Sequence, residues 1–175
     1  MSDLSVDLQS CIRDVPDFPS RGILFKDITP LLADPSLFDR TVKALGADWG
    51  PVDVIVGMES RGFLFGTPMA RDLGVAFAPA RKKGKLPHST VEVTYELEYG
   101  SACLQMHTDA IRPGQRVLIV DDLVATGGTA VATVDLVRRL GGVIVGCAFV
   151  VDLSFLPGRA RVEALDVEVR ALLSV

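Results

Sequence analysis

Apolar residues recur every four positions at Leu4, Leu8 and Ile12, the period of a short amphipathic helix that must stop before Pro16. The pattern then breaks. Asp17 to Pro30 (DFPSRGILFKDITP) mixes turn residues with aromatics that follow no period, which predicts a functional loop. Asp34 followed by Pro35 supplies a side-chain cap and a proline at the first helical position, so a helix is expected to run towards Trp49. Val52 to Val56 reads as a short buried strand ended by Gly57, Arg61 to Leu73 as a helix closing at Gly74, and Val75 to Ala80 as the next strand.

Further along, Arg81 to His88 (RKKGKLPH) has no apolar period and gathers four cations with a glycine and a proline, predicting a mobile surface loop. Val91 to Leu97 and Ser101 to His107 alternate apolar and polar residues around Tyr99 and Gly100, as a hairpin does. Val117 to Val120, Thr129 to Leu140 and Val143 to Val151 then read as strand, helix and strand. A unit of this kind needs its two strands parallel. The alternation, unbroken by a repeat or linker, predicts one α/β domain over residues 1–175, with a central, mostly parallel sheet flanked by helices.

Composition narrows the function. A chain of 175 residues that is 49% hydrophobic can bury one substantial core. Its net charge of −4 leaves no broad basic face for DNA or RNA, so no nucleic-acid partner is expected. Met1 to Gln9 lacks the basic start and apolar stretch of an export signal, and Val143 to Val151 is far shorter than the ~20 residues a helix needs to cross a bilayer. A cytoplasmic protein with no membrane partner is therefore expected. Cys11, Cys103 and Cys147 are widely separated, without metal-site or redox spacing, and Cys147 reads as a small buried hydrophobe.

Chemistry concentrates in residues 117–129, VLIVDDLVATGGT. In open α/β sheets ligands collect beyond the carboxyl ends of the strands, where Asp121, Asp122 and the loop Ala125, Thr126, Gly127, Gly128 and Thr129 should fall. The glycines allow a tight turn, and amides opening the next helix can face a phosphate. Two adjacent acids need a polar partner if buried, and a ribose diol is one; an acidic strand end that caps the next helix is the plainer alternative. The loop matches neither G-x-x-x-x-G-K-[ST] nor G-x-G-x-x-G, which leaves a phosphorylated sugar as its natural ligand.

VLIVDDLVATGGT resembles the phosphoribosyl pyrophosphate motif of the type I phosphoribosyltransferases. Residues 16–32 (PDFPSRGILFKDITPLL), 57–66 (GMESRGFLFG), 81–87 (RKKGKLP) and 95–100 (YELEYG) resemble successive blocks of the adenine phosphoribosyltransferases in that family. The resemblance implies adenine plus phosphoribosyl pyrophosphate giving AMP and pyrophosphate, with magnesium, usually in a homodimer. It also implies a small hood and a flexible hairpin lid over residues 81–107, with the base carried by residues 1–33.

Carried over residue by residue, Asp121 and Asp122 would hold the ribose hydroxyls while Ala125 to Thr129 cradle the 5-phosphate. Glu59, Ser60 and Arg61 match a pyrophosphate loop containing a non-proline cis peptide; read alone, Glu59 and Arg61 are equally a local ion pair. Arg81, Lys82 and Lys85 match the basic lid, though a charge run is also an ordinary solvated face. The backbone at Leu24 and Lys26 would bind adenine and Phe25 would stack on it, unless Phe25 is plain core. Glu98 would manage the purine proton beside Tyr99, or be only a hairpin glutamate. Leu153 is a further base contact. Magnesium is expected through substrate oxygens and water, without a protein ligand cage. Ser20-Arg21 before Gly22, His88 after Pro87 and Asp152 in place of glutamate depart from the pattern. A transferase for hypoxanthine, guanine or orotate and a phosphoribosyl-binding regulator are the rival readings; the second wants a DNA-binding helix pair or basic face that the chain does not display.

Overall fold

The computed structural model describes residues 3–96 and 101–175. The chain opens with α1 (Asp3–Cys11), β1 (Arg13–Pro16), β2 (Leu24–Asp27), α2 (Thr29–Ala33) and α3 (Pro35–Gly46). Next come β3 (Val54–Met58), α4 (Gly62–Leu73), β4 (Ala76–Lys82), and the hairpin strands β5 (Thr90–Glu96) and β6 (Ser101–His107). It closes with β7 (Arg116–Val124), α5 (Gly128–Arg139), β8 (Val143–Asp152), α6 (Gly158–Glu163) and β9 (Val169–Ser174).

Seven strands form one sheet in the order β5-β6-β4-β3-β7-β8-β9. The pairs β3–β4, β3–β7, β7–β8 and β8–β9 are parallel, and only the hairpin edge is antiparallel. The mostly parallel α/β sheet expected from the alternation of elements is therefore present. Both faces are covered, and β7 shows how: Val117 and Ile119 join a core with α5, while Leu118 and Val120 join another with α1, α3 and α4. A strand covered on both sides needs apolar residues at successive positions, which is why VLIV and VIVGM read as unbroken runs.

The expected helix ends are present. The Asp34 carboxylate accepts the N–H groups of Ser36 and Leu37 at 3.0 Å each, with Pro35 at the first helical position. Gly74 closes α4 at φ 67°. Cys147 lies fully buried in β8, where burial pushes its thiol up to about 12.

Four boundaries differ from the sequence expectation. The stretch expected as a loop contributes β2, which pairs with β1 from Arg13↔Asp27 to Pro16↔Leu24, and then α2. Strands of four residues with a proline carry too little period to announce themselves; ion pairing of Lys26 with Asp14 at 2.6 Å helps hold them. Gly57 lies inside β3 rather than ending it, because β4 and β7 pair with it at Pro79 and Val120; a Cβ there would stand 2.8 Å from the Phe77 ring, which is why the position is glycine. The charge run begins inside β4, whose Arg81 and Lys82 pair with Gln105 and Leu104 of β6. β7 continues past Val120 to Val124 because β8 runs alongside, with Asp121↔Phe149 and Val124↔Asp152. α6 and β9 have no counterpart among the expected elements. Among the described residues no helix is long and apolar enough to cross a membrane.

Candidate active site

Parallel strands bring their carboxyl ends to one edge, so the segments following β3, β4 and β7 converge there. A cavity of about 380 Å³ lies between them. It is lined by Glu59, Ser60 and Arg61 after β3, by Lys82 at the end of β4, and by Asp121 to Ala130 from β7 into α5. Residues as far apart in the chain as Glu59 and Ala130 thus share one space.

The loop after β7 is backbone-built. Gly127 takes φ 79°, a left-handed value, and opens α5 as its cap without any side-chain hydrogen bond. First-turn N–H groups of a helix have no partner within the helix, so those of α5 are available to an anion. Tyr95 Oη stands 3.2 Å from Thr129 Oγ1, linking the hairpin edge to this loop. Sequence reasoning assigns Tyr95 no role, although it opens the YELEYG block and continues the strand alternation of Val91 and Val93.

Of the acid pair, Asp122 is buried and Asp121 half-buried. Asp122 is 1% exposed, and the Asp121 carboxylate accepts the Asp122 N–H at 2.9 Å. Arg61 Nε lies 3.0 Å from Asp122 Oδ2 as an ion pair, but off the line of a hydrogen bond, so that buried oxygen accepts none. Burial first, and then the charge of Asp122, push the Asp121 carboxyl well above its ordinary value. Burial also raises Asp122, with Arg61 opposing it. Gly62 lies against this pair: a Cβ there would meet Val120 O at 2.5 Å and Asp121 Oδ1 at 3.1 Å. Asp122 Oδ2 is thus a buried acceptor without a donor among the described residues, and a diol carries two donors.

The opposite wall is built from charged side chains. The Glu59–Ser60 peptide is cis. Glu59 faces the basic turn: its carboxylate accepts the Lys82 N–H at 2.8 Å and Arg81 Nη2 at 3.3 Å. Burial works to raise the Glu59 carboxyl, but the Lys82 N–H and the Arg81 guanidinium outweigh it and hold it below the ordinary value. Arg81 also donates to Lys85 O at 3.0 Å and sits 5.9 Å from the Phe63 ring, so its charge is already engaged. Lys82 and Lys85 are exposed. Glu59 thus organises the turn that carries the free cations.

The remaining candidates lie outside the cavity lining. Phe25 on β2 meets Phe18 edge-on at 5.2 Å, and the Arg61 guanidinium lies 5.3 Å from its ring, which places β2 beside the acid pair. Leu24 is 45% exposed, whereas the Lys26 side chain turns to Asp14. Leu153 is buried, its N–H donated to Val124 O at 3.1 Å. Glu98 and Tyr99 lie outside the described residues.

Comparison with known proteins agrees with this geometry. Residues 39–170 match the model of the phosphoribosyl transferase domain. The adenine phosphoribosyltransferase of Acidothermus cellulolyticus is 54% identical over 166 residues, covering 94% of this chain and 93% of the relative. The crystal structure of the Rhodothermus marinus adenine phosphoribosyltransferase has a TM-score of 0.93 at 49% identity, covering 98% of each chain. That of the Saccharomyces cerevisiae enzyme, complexed with an imino-altritol bisphosphate and adenine, has 0.90 at 41% identity, covering 99% of this chain and all of the other. The chain belongs to the phosphoribosyl transferase domain family and, within it, to the adenine phosphoribosyltransferases.

Proposed function

We propose that this chain transfers the 5-phosphoribosyl group from phosphoribosyl pyrophosphate to adenine, releasing AMP and pyrophosphate in purine salvage. The observation that carries the reading is one cavity in which the adjacent acids Asp121 and Asp122 stand between a loop of helix-opening amides and a basic turn. The purine N9 forms the bond to C1 of the sugar as the C1–O bond to pyrophosphate breaks, through an oxocarbenium-like transition state.

In this reading Ala125, Thr126, Gly127, Gly128 and Thr129 hold the 5-phosphate. Asp121 and Asp122 accept the ribose hydroxyls, whose donors favour the charged form that burial opposes. Two carboxylates near C1 also favour positive charge developing there. Glu59, Ser60, Arg61, Arg81, Lys82 and Lys85 form the pyrophosphate end, with Glu59 acting through its hold on the turn. Leu24, Phe25, Lys26 and Leu153 receive the base; Glu98 and Tyr99 of the lid manage the purine proton.

Among the described residues no three of His, Cys, Asp and Glu gather as metal ligands, and Asp122 is committed to Arg61. In this reading magnesium would be held by substrate oxygens and water, and Asp121, a lining carboxylate not paired with Arg61 or Arg81, would be the protein group to orient that water. When bound, the ion offsets charge on the departing pyrophosphate. The protein would work in the cytoplasm as a homodimer.

The test is turnover of the purified protein with phosphoribosyl pyrophosphate, magnesium and each base in turn. Product with adenine alone is expected. Preference for hypoxanthine, guanine or orotate, or no product with any base, would overturn the assignment.

A further inference from the structure

Residues 157–161 lie against the outer side of the phosphate loop and take no part in the site described above. The Gly158 N–H donates to Ala125 O at 2.9 Å, and Arg161 Nη1 donates to Thr126 O at 2.7 Å. The two backbones are in direct contact. A Cβ on Gly127 would stand 2.7 Å from Gly158 O, and one on Gly158 would overlap Ala125 O and stand 2.9 Å from Gly127 N.

The segment is itself anchored. Arg159 Nε donates to Glu163 at 2.8 Å, its Nη2 to Val169 O at 2.9 Å, and its Nη1 lies 3.6 Å from Asp152 Oδ2. Val162 is fully buried in the core beneath α6. Residues 157–161 are therefore tied to the ends of β8 and β9 and press on the loop at its Ala125 to Gly127 backbone.

Peptide geometry supplies the consequence. In a trans peptide the carbonyl and the next residue's N–H point to opposite sides. Gly158 and Arg161 line no part of the cavity, so the carbonyls of Ala125 and Thr126 are drawn away from it. That turns the N–H groups of Thr126 and Gly127 towards it. We propose that Gly158 and Arg161 are positioning residues for the 5-phosphate, fixing the loop conformation in which its amides converge; this rests on the phosphate reading of residues 125–129.

The test compares Arg161→Ala, Arg161→Lys, Gly158→Ala and Thr129→Ala, using ribose 5-phosphate binding by calorimetry together with steady-state kinetics. Loss of a charged donor to one carbonyl is expected to raise the Kd for ribose 5-phosphate and the KM for phosphoribosyl pyrophosphate about five- to tenfold in Arg161→Ala. The KM for adenine and kcat at saturation should stay within about twofold, because the base and acid positions are untouched. Arg161→Lys should recover most of the loss, and Gly158→Ala should lose more. If Gly158→Ala does not fold, the Arg161 pair decides. Weakening by Thr129→Ala with none in folded Gly158→Ala and Arg161→Ala would overturn the brace and leave the phosphate site standing. Unchanged binding in Thr129→Ala as well would overturn the phosphate site and the brace with it. Equal losses in kcat and both KM values in Arg161→Ala would show a general structural role instead.

Discussion

At one end of the cavity the wall is main chain: Gly127 at φ 79°, the uncapped first turn of α5, and two carbonyls held from behind by Gly158 and Arg161. At the other end it is side chain: Arg61 on Asp122, Arg81 on Glu59, and Lys82 at the rim. A wall built chiefly of amides works only in one conformation, with the Thr126 and Thr129 hydroxyls as the side-chain donors it adds. A wall of cations tolerates conformational change but loses function with each charge. The two ends should therefore fail in different ways when altered, and the acid pair between them should fail most severely.

The largest effect is expected there. Asp121→Asn together with Asp122→Asn should lower kcat/KM by on the order of 10² to 10³, the scale of removing preorganised electrostatic partners, while circular dichroism stays native. Turnover at the level of the unaltered protein would remove both acids from the mechanism.

Gly127→Ala comes next and probes the main-chain end. A side chain at that φ, with Gly158 O at 2.7 Å, should cost about 1–3 kcal/mol of stability and weaken AMP binding about tenfold or more. An alanine variant with unchanged melting temperature and AMP affinity would show that the loop has no single required shape.

The side-chain end should respond more gently. Lys82→Ala with Lys85→Ala should raise the KM for pyrophosphate in the reverse reaction about three- to tenfold while AMP affinity stays within about twofold, as exposed cations act mainly by local attraction. Equal weakening of both ligands would make the turn a general attractor of anions and blur the distinction between the ends.

The smallest expected effect is on stability against pH, and it separates a site acid from a structural one. The folded value of Asp121 lies above its ordinary 3.8, so its stability contribution is complete below that value and is lost as pH rises through the higher folded value. Asp121→Asn should then raise the melting temperature of the ligand-free protein at neutral pH but not near pH 3. Asp53 is the opposite case: hydrogen bonds from the Arg116 side chain and N–H lower it to about 2. Its contribution is present above 3.8 and lost as pH falls towards 2, so Asp53→Asn should lower the melting temperature at neutral pH only. A stability gain in both variants would show that burial of Asp121 is not the controlling cost.

How much of this could be read from the chain differs along it. Residues 117–129 are legible because strand, acid pair, glycine turn and helix start are consecutive, so each determinant acts on its neighbours. The Asp34–Pro35 cap and the Gly74 stop are legible for the same reason. β1 and β2 are not, since four residues each, β1 ending in Pro16, carry no period and are strands by pairing with each other. The extension of β7 to Val124 depends on β8 beside it, and Tyr95 becomes part of the site only through the distance to Thr129.

By itself the sequence determined the kinds of element, their alternation, and a turn able to present amides to an anion, because backbone preference and hydrophobic period act over a few residues. Only the tertiary structure decided that Arg61 faces Asp122, that Glu59 holds the Lys82 N–H, and that Gly158 presses on Gly127. These pairs lie 61, 23 and 31 residues apart in the chain, and no local preference acts across such spans. Strand order and the burial of both sheet faces bring them together, and it is there that a glycine turn becomes one wall of a two-ended cavity.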